Sequence, residues 1–251
     1  MHSQPSPGGT RIATSKRDNA FLVEGDDGFT LVDVGWVTSP GLLLRTVADL
    51  GRKPTDIRRV ILTHARPDHV QGAAELRRHT GARILIHDAD RAWLEAGRVP
   101  AHGRSGAVGR FIDHLPKLHW TPTTADGTVS DGEVVEGSGG LHGIHTPGHS
   151  PGHIVLLHEP SRTVLMGDAA FNRGKLAIGP AALAADPDLR TGSLASIPQN
   201  LKAVGSAHGA PVTGGDVDTF QRFLQLTAPP QQHADRDEPD EAEEATDGDE
   251  H

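Results

Sequence analysis

The chain has 251 residues, 35% of them hydrophobic and only 4% aromatic, with no cysteine. That length suits one large α/β domain or two small ones with a substantial aliphatic core, and the composition excludes disulfides, thiolate metal ligands and a cysteine nucleophile. The net charge of −9 is carried by residues 235–251, which hold ten acidic residues and one arginine; the remainder is balanced, and no basic block points to nucleic acid.

Residues 1–10 are rich in Pro, Gly and Ser and are expected to form a flexible arm. They contain no apolar run of the kind a secretory signal needs, and no stretch reaches the roughly 18 apolar residues of a membrane span, so a cytoplasmic protein without a membrane partner is expected. Residues 11–14 and 20–24 read as strands. Asp26-Asp27-Gly28 is a turn signal, and residues 29–34 return as the second strand of a hairpin. Ser39-Pro40 opens a helix, with Ser39 as N-cap, Pro40 in the first turn and Leu42, Leu43, Val47 and Leu50 as its apolar face. Residues 59–63 are a short buried strand, 68–80 a helix stopped by Gly81, 82–87 a strand and 88–97 a helix.

Residues 98–130 lack a clear period and read as loop with one short helix. Strands are expected at 134–136 and 141–145. Residues 154–158 and 163–166 form a hairpin around Glu159-Pro160-Ser161. Residues 169–192 are irregular, a helix is expected over 193–204 despite Pro198, and a last helix over 216–226. The domain is thus expected to span 11–226. The segment 227–251 is Pro-rich and acidic and is expected to be disordered. Strands and helices alternate as in a mixed α/β domain with helices outside its sheets.

Four segments carry chemistry, each directly after an apolar strand or segment. Thr63-His64-Ala65-Arg66-Pro67-Asp68-His69 offers two imidazoles and a carboxylate, suited to Zn²⁺ or Fe²⁺. Taken alone it also fits a solvated loop with Asp68 at a helix N-terminus. His145-Thr146-Pro147-Gly148-His149-Ser150-Pro151-Gly152-His153 is held to a tight path by its Pro-Gly pairs. Met166-Gly167-Asp168 and Ala207-His208-Gly209 complete the set. His145 and His153 suit roles as hydrogen-bonding neighbours of ligands. Thr63 and Ser150 lack the context of a nucleophile and are assigned to packing.

The order of these segments resembles the metallo-β-lactamase superfamily, including glyoxalase II-like hydrolases: His-x-His-x-Asp-His, Gly-His, Gly-Asp and a late His before Gly. Asp33-Val34-Gly35 resembles the Asp-x-Gly that follows the family's first hairpin. The resemblance runs from about residue 11 to about 226. It implies an αββα sandwich, a single domain of two central sheets with helices on both outer faces. It also implies a metal site built from His64, Asp68, His69, His149, Asp168 and His208, with Asp168 bridging two ions. One position departs: Arg66 stands where a second His ligand belongs, and a guanidinium cannot ligate a metal. The expectation is therefore one or two zinc ions. Arg66 is assigned either to replace a cation's charge by pairing with Asp168 or Asp68, or to grip an anionic substrate in the cleft; a third reading makes it the lesion of an inactive site.

The chemistry implied is hydrolysis of an ester, thioester, lactone or amide in a small-molecule substrate, with Asp68, Asp168 and Arg66 as the catalytic residues. The alternative is a mononuclear iron, persulfide dioxygenase-like oxidoreductase on His64, His149 and Asp168. The last is a non-catalytic protein of the same fold.

Overall fold

The computed structural model describes residues 9–227, together with the backbone of 3–6. Two sheets stack face to face. The first has seven strands in the order β1 (Ser3–Ser6), β2 (Gly9–Ala13), β3 (Asn19–Glu24), β4 (Phe29–Val32), β5 (Ile57–Leu62), β6 (Arg83–Ile86) and β7 (Gly127–Thr128). Neighbours from β1 to β4 run antiparallel, and those from β4 to β7 run parallel. The second sheet holds β8 (Leu141–His145), β9 (Ile154–His158) and β10 (Thr163–Leu165). It continues through β13 (Ala203–Gly205) to β14 (Val212–Thr213). A small separate hairpin pairs β11 (Phe171–Asn172) with β12 (Leu176–Ala177).

Strand periodicity sends alternate side chains to opposite faces. Phe21, Val23, Val32, Ile61 and Leu85 face inward against Ile154, Leu156 and Leu165, forming the core between the sheets. Leu22, Leu31, Val60, Leu62, Ile84 and Ile86 face outward. There they meet α1 (Pro40–Asp49), α3 (Ala73–Thr80) and α4 (Asp88–Ala96) through Leu43, Val47, Leu76 and Leu94. On the far side Val155, Leu157 and Val204 meet α6 (Leu189–Leu194) and α7 (Asp216–Thr227) through Leu194, Phe220 and Leu224. Three apolar layers therefore separate four layers of structure, the expected αββα sandwich. No described helix is long and apolar enough to cross a membrane.

The structure differs from the sequence reading in several places. Part of the expected flexible arm is ordered: Ser3–Ser6 pairs as an edge strand with β2. The helix expected over 68–80 is two, α2 (Pro67–Val70) and α3, because the chain breaks at Gln71-Gly72. There a Cβ on Gly72 would lie 2.8 Å from Val34. Ser39 precedes α1 as expected, but its side chain makes no capping bond. Val134 contributes a single bridge to His142 rather than a strand. The segment 98–130 holds α5 (Ala107–Asp113), a 3₁₀ turn at Pro116–Leu118 and β7.

The helix expected over 193–204 is the largest error. α6 ends at Leu194, ahead of Pro198, and residues 203–205 form a buried strand parallel to β10. A proline removes a helical donor, and the apolar run Ala203-Val204-Gly205 fills a vacancy in a sheet that sequence periodicity does not reveal. The acidic tail expected to be disordered lies outside the described residues from 228 onward.

Candidate metal centre

The four segments meet at the ends of β5, β8, β10 and β13, where an α/β sheet opens to ligands. His64, His149 and Asp168 form one group. Asp68, His69 and His208 form a second, with the ligand atoms of each group within 4.8 Å of one another. Asp168 lies between them: its Oδ1 is 3.0 Å from His208 Nε2 and 3.2 Å from His69 Nε2, and its Oδ2 is 3.3 Å from His149 Nε2. Asp68 Oδ2 lies 3.6 Å from His208 Nε2. All these residues are buried except Asp68, which is partly open. All six sequence-predicted ligand positions therefore converge, and with no imidazole at position 66 the first group has three donors, His64, His149 and Asp168.

Three of the four imidazoles, those of His64, His69 and His208, are aimed by a partner on the other nitrogen. Asp33 Oδ2 contacts His69 Nδ1 at 2.8 Å, and Asp33 also accepts from the Thr63 amide at 2.8 Å. To do so Asp33 adopts φ 60°, a left-handed conformation that few non-glycine residues take. Thr63 Oγ1 donates to Asp33 and lies 3.0 Å from His64 Nδ1, so it orients a ligand as well as packing. Asp18 Oδ1 holds His208 Nδ1 at 2.8 Å, and its Oδ2 accepts from Trp36 Nε1 at 2.8 Å. His153 Nε2 accepts the Asp168 amide at 2.9 Å while its Nδ1 meets Thr146 Oγ1, the orienting role expected of it. His145 instead stacks on His87 at 4.0 Å and holds the Pro151 carbonyl, supporting the loop rather than a ligand.

Asp90 ties the two ligand loops together. It is fully buried and accepts from the Ala65 amide at 2.8 Å, Ser150 Oγ at 2.6 Å and the Gly152 amide at 2.7 Å. Ser150 is thus a hydrogen-bonding group as well as a packing one. Nothing in the local sequence marks Asp90 or Asp18; one lies in a first helical turn and the other ahead of a strand, and only tertiary contact gives them roles.

Burial and charge divide the imidazoles. Burial holds His64 and His149 well below the usual histidine range, leaving them neutral donors. Burial also opposes charging His69 and His208, but the carboxylates outweigh it. Asp33 and Asp168 raise His69 well above its ordinary value, and Asp168 with Asp18 raise His208 to about 10. Burial would raise Asp168, yet the charges of His208 and His69 hold it well below the usual carboxylate range. His64 Nε2, His69 Nε2 and Asp168 Oδ1 are buried without a hydrogen bond of good geometry. Buried polar atoms are normally satisfied, and an inward-facing set of imidazole nitrogens and carboxylate oxygens fits a divalent cation.

Arg66 does not make the ion pair with Asp168 or Asp68 read from the sequence, although it does line the cavity at the centre, and among the described residues its Nε and Nη1 have no hydrogen-bond partner. Among the described residues its ion pair is with Asp113, at 3.9 Å. Its Nη2 donates to the backbone carbonyls of His149 (2.8 Å), Gly103 (3.0 Å) and Leu183 (3.3 Å). The side chain is long enough to pass the ligand cluster and lie over the Trp93 ring, 5.4 Å from its centroid. It is 1% exposed, and burial with neighbouring Arg104 lowers its pKa to about 10, so it stays cationic at neutral pH.

A cavity of about 340 Å³ opens onto the centre between Asp68, His149, Asp168 and His208. Trp36, Ile112, Leu118, Phe171 and Leu183 give it apolar walls, and the small β11–β12 hairpin forms part of its rim.

Comparison with known proteins agrees with this geometry. Among solved structures, the subclass B3 metallo-β-lactamase BJP-1 of Bradyrhizobium japonicum superposes with a TM-score of 0.68 over 90% of this chain and 91% of its own, at 22% identity. A metallo-β-lactamase of Cronobacter sakazakii described by its HARLDQ motif superposes with a TM-score of 0.64 at 25% identity, over 83% of this chain and 78% of its own. Residues 64–69 here read HARPDH.

Among curated relatives, the probable metallo-hydrolase YflN of Bacillus subtilis is 26% identical over 57% of this chain and 56% of its own length. A hydroxyacylglutathione hydrolase of Methylobacterium nodulans is 31% identical over 55% of this chain and 42% of its own. The chain thus spans less than two thirds of the length of these relatives. The family model of the metallo-beta-lactamase superfamily matches residues 16–199. With that match covering most of the domain, its motifs at the strand ends and its fold that of the solved members, the chain belongs to the metallo-beta-lactamase superfamily.

Proposed function

We propose that this protein is a metal-dependent hydrolase of a small ester, thioester, lactone or amide, working with two divalent cations, zinc in the first instance. The observation that carries the reading is the shared carboxylate. Asp168 joins His64 and His149 in the first group through Oδ2 and turns Oδ1 toward His69 and His208 of the second, as a bridged two-metal centre would require. His64, His149 and Asp168 would hold one ion; Asp68, His69 and His208 would hold the other, with Asp168 between them. Bound there, such ions would supply a coordinated water with a pKa lowered toward about 7 and a Lewis acid for a carbonyl.

The remaining chemistry belongs to the chain. Asp68, the most open of the ligands, is placed to orient the attacking water and to accept its proton. Asp33, Asp18, Thr63 and His153 keep the ligand atoms aimed without rearrangement. Trp36, Phe171, Ile112 and Leu183 exclude bulk water from the cavity, which strengthens the electrostatic interactions inside it. Arg66 commits its Nη2 to carbonyls and also lines the cavity.

A second reading rests on the completeness of the first group alone. His64, His149 and Asp168 make the two-imidazole, one-carboxylate set of mononuclear iron oxygenases. Elemental analysis separates the two. The hydrolase reading expects about two zinc ions per chain and turnover of activated esters or thioesters in their presence. One iron per chain with oxygen uptake on a persulfide overturns it in favour of the oxidoreductase, and the absence of stoichiometric metal overturns both.

A further inference from the structure

We propose that Arg66 is a positioning residue, a latch that holds the His149 ligand loop and two walls of the cavity in one arrangement. The proposal rests on reading His64, His149 and Asp168 as a metal group. The family pattern places a ligand at this position, and here the structure places a different device.

Three separate loops converge on a single nitrogen. Arg66 Nη2 meets the carbonyl of His149 on one ligand loop, of Gly103 ahead of α5, and of Leu183 in the segment before α6. Arg104 continues the same knot: its Nη1 donates to the Leu183 carbonyl at 3.3 Å, and its Nε to both oxygens of Asp113 at 2.8 and 2.9 Å. Asp113, at the end of α5, is 5% exposed and also carries the ion pair to Arg66.

Residues pinned by this knot shape the cavity directly. Leu183 lines it, as does Ile112, the neighbour of Asp113 on α5. Apart from the two arginines, segment 98–119 is tied to the body of the domain by side-chain bonds such as Gln71 Nε2 to the Lys117 and His119 carbonyls, and segment 180–186 by the Ala185 and Asp186 amides to the His149 and Gly148 carbonyls, while Ser105 Oγ joins the two segments through the Ala181 carbonyl. Carbonyls gathered on one buried cation form charge-assisted hydrogen bonds, stronger than neutral ones. Removing the donor takes that bond from the Gly103 carbonyl, while the His149 carbonyl keeps the Ala185 amide at 3.0 Å and the Leu183 carbonyl keeps Arg104.

The three possible roles of Arg66 give opposite signs in one measurement. A latch aims His149, so its loss weakens metal binding at that group. A bare charge near the site repels a cation, so its loss strengthens metal binding. A substrate grip leaves metal binding unchanged. The test uses Arg66→Met, which keeps length and apolar volume but has no donor.

It is measured in a His208→Ala background, where the His64–His149–Asp168 group remains complete and the other lacks a ligand. Zinc affinity by chelator competition is expected to fall at least tenfold. Amide hydrogen exchange in the metal-free, full-length protein is expected to speed up at least tenfold in 98–119 and 180–186. Zinc affinity that rises or stays constant, or exchange that stays as in the parent, overturns the latch.

If Arg66→Met does not fold, Arg104→Met cuts the same knot outside the ligand loop. Exchange in both segments is then expected to speed up while zinc affinity changes less than threefold. Unchanged exchange there overturns the proposal as well. A parent protein that binds no zinc would sink the metal reading, while the exchange measurement would still judge the latch.

Discussion

Asp90 offers a quantitative test of how the two ligand loops are held. Its carboxylate is fully buried and accepts from the Ala65 amide, Ser150 Oγ and the Gly152 amide, beside His64, His149 and His153 respectively. Replacement by Ala leaves two buried backbone N–H groups without an acceptor, at about 1–3 kcal/mol each, and frees Ser150. The expected total is about 3–6 kcal/mol. Asp90→Asn keeps one carbonyl oxygen and turns an NH₂ toward a donor, so it loses about one bond, or about 1–3 kcal/mol.

For a chain of this size 1 kcal/mol moves Tm by about 2–4 °C. The Ala variant is therefore expected to melt roughly 6–24 °C lower and the Asn variant roughly 2–12 °C lower. Both are read in metal-free protein by calorimetry, because bound metal would add its own stabilisation. Zinc affinity, measured separately by chelator competition, is expected to fall in the same order, since both loops carry ligands. An Ala variant within about 1 kcal/mol of the parent, or Ala and Asn variants of equal stability, would refute the claim that these three bonds hold the centre.

Other outcomes follow from the same geometry. His208→Ala removes one ligand of the Asp68–His69–His208 group and is expected to lower zinc content from about two to about one per chain by elemental analysis; full occupancy in that variant would remove His208 from the site. Gly167→Ala places a Cβ 2.7 Å from His153 Nε2 and 2.9 Å from Thr63, at φ 48°. It should displace the Asp168 amide from His153 and weaken zinc binding at least tenfold, and an unchanged titration would count against His153 as the group that orients Asp168. Deletion of residues 228–251, whose composition offers little apolar surface to bury, is expected to leave Tm within about 2 °C and zinc content unchanged. A larger fall in either would show that the tail stabilises the domain.

The legible part of this protein was its chemistry and its layers. His64, Asp68, His69, His149, Asp168 and His208 stand at fixed offsets from apolar strands, and strand periodicity decides which residues face which layer. Both are local properties, so a mixed α/β domain and the four chemistry-bearing segments could be read along the chain, and the resemblance of those motifs to the superfamily implied the αββα sandwich and the candidate ligand set. The strand at 203–205 could not, because its partner β10 lies far away in sequence and a three-residue apolar run has no period of its own. The same holds for Asp18 and Asp90, carboxylates with ordinary neighbours in sequence. Their roles arise only when folding brings His208 to one, and the Ala65 and Gly152 amides to the other.

Arg66 divides the two kinds of information most clearly. Its identity alone determined that position 66 holds no metal ligand, since a guanidinium has no lone pair to give. Where that cation goes was decided by tertiary structure, which sets the carbonyls of Gly103, His149 and Leu183 and the carboxylate of Asp113 within its reach. A long side chain can satisfy its charge with partners from any loop the fold brings near, and the order of residues along a chain does not list those loops.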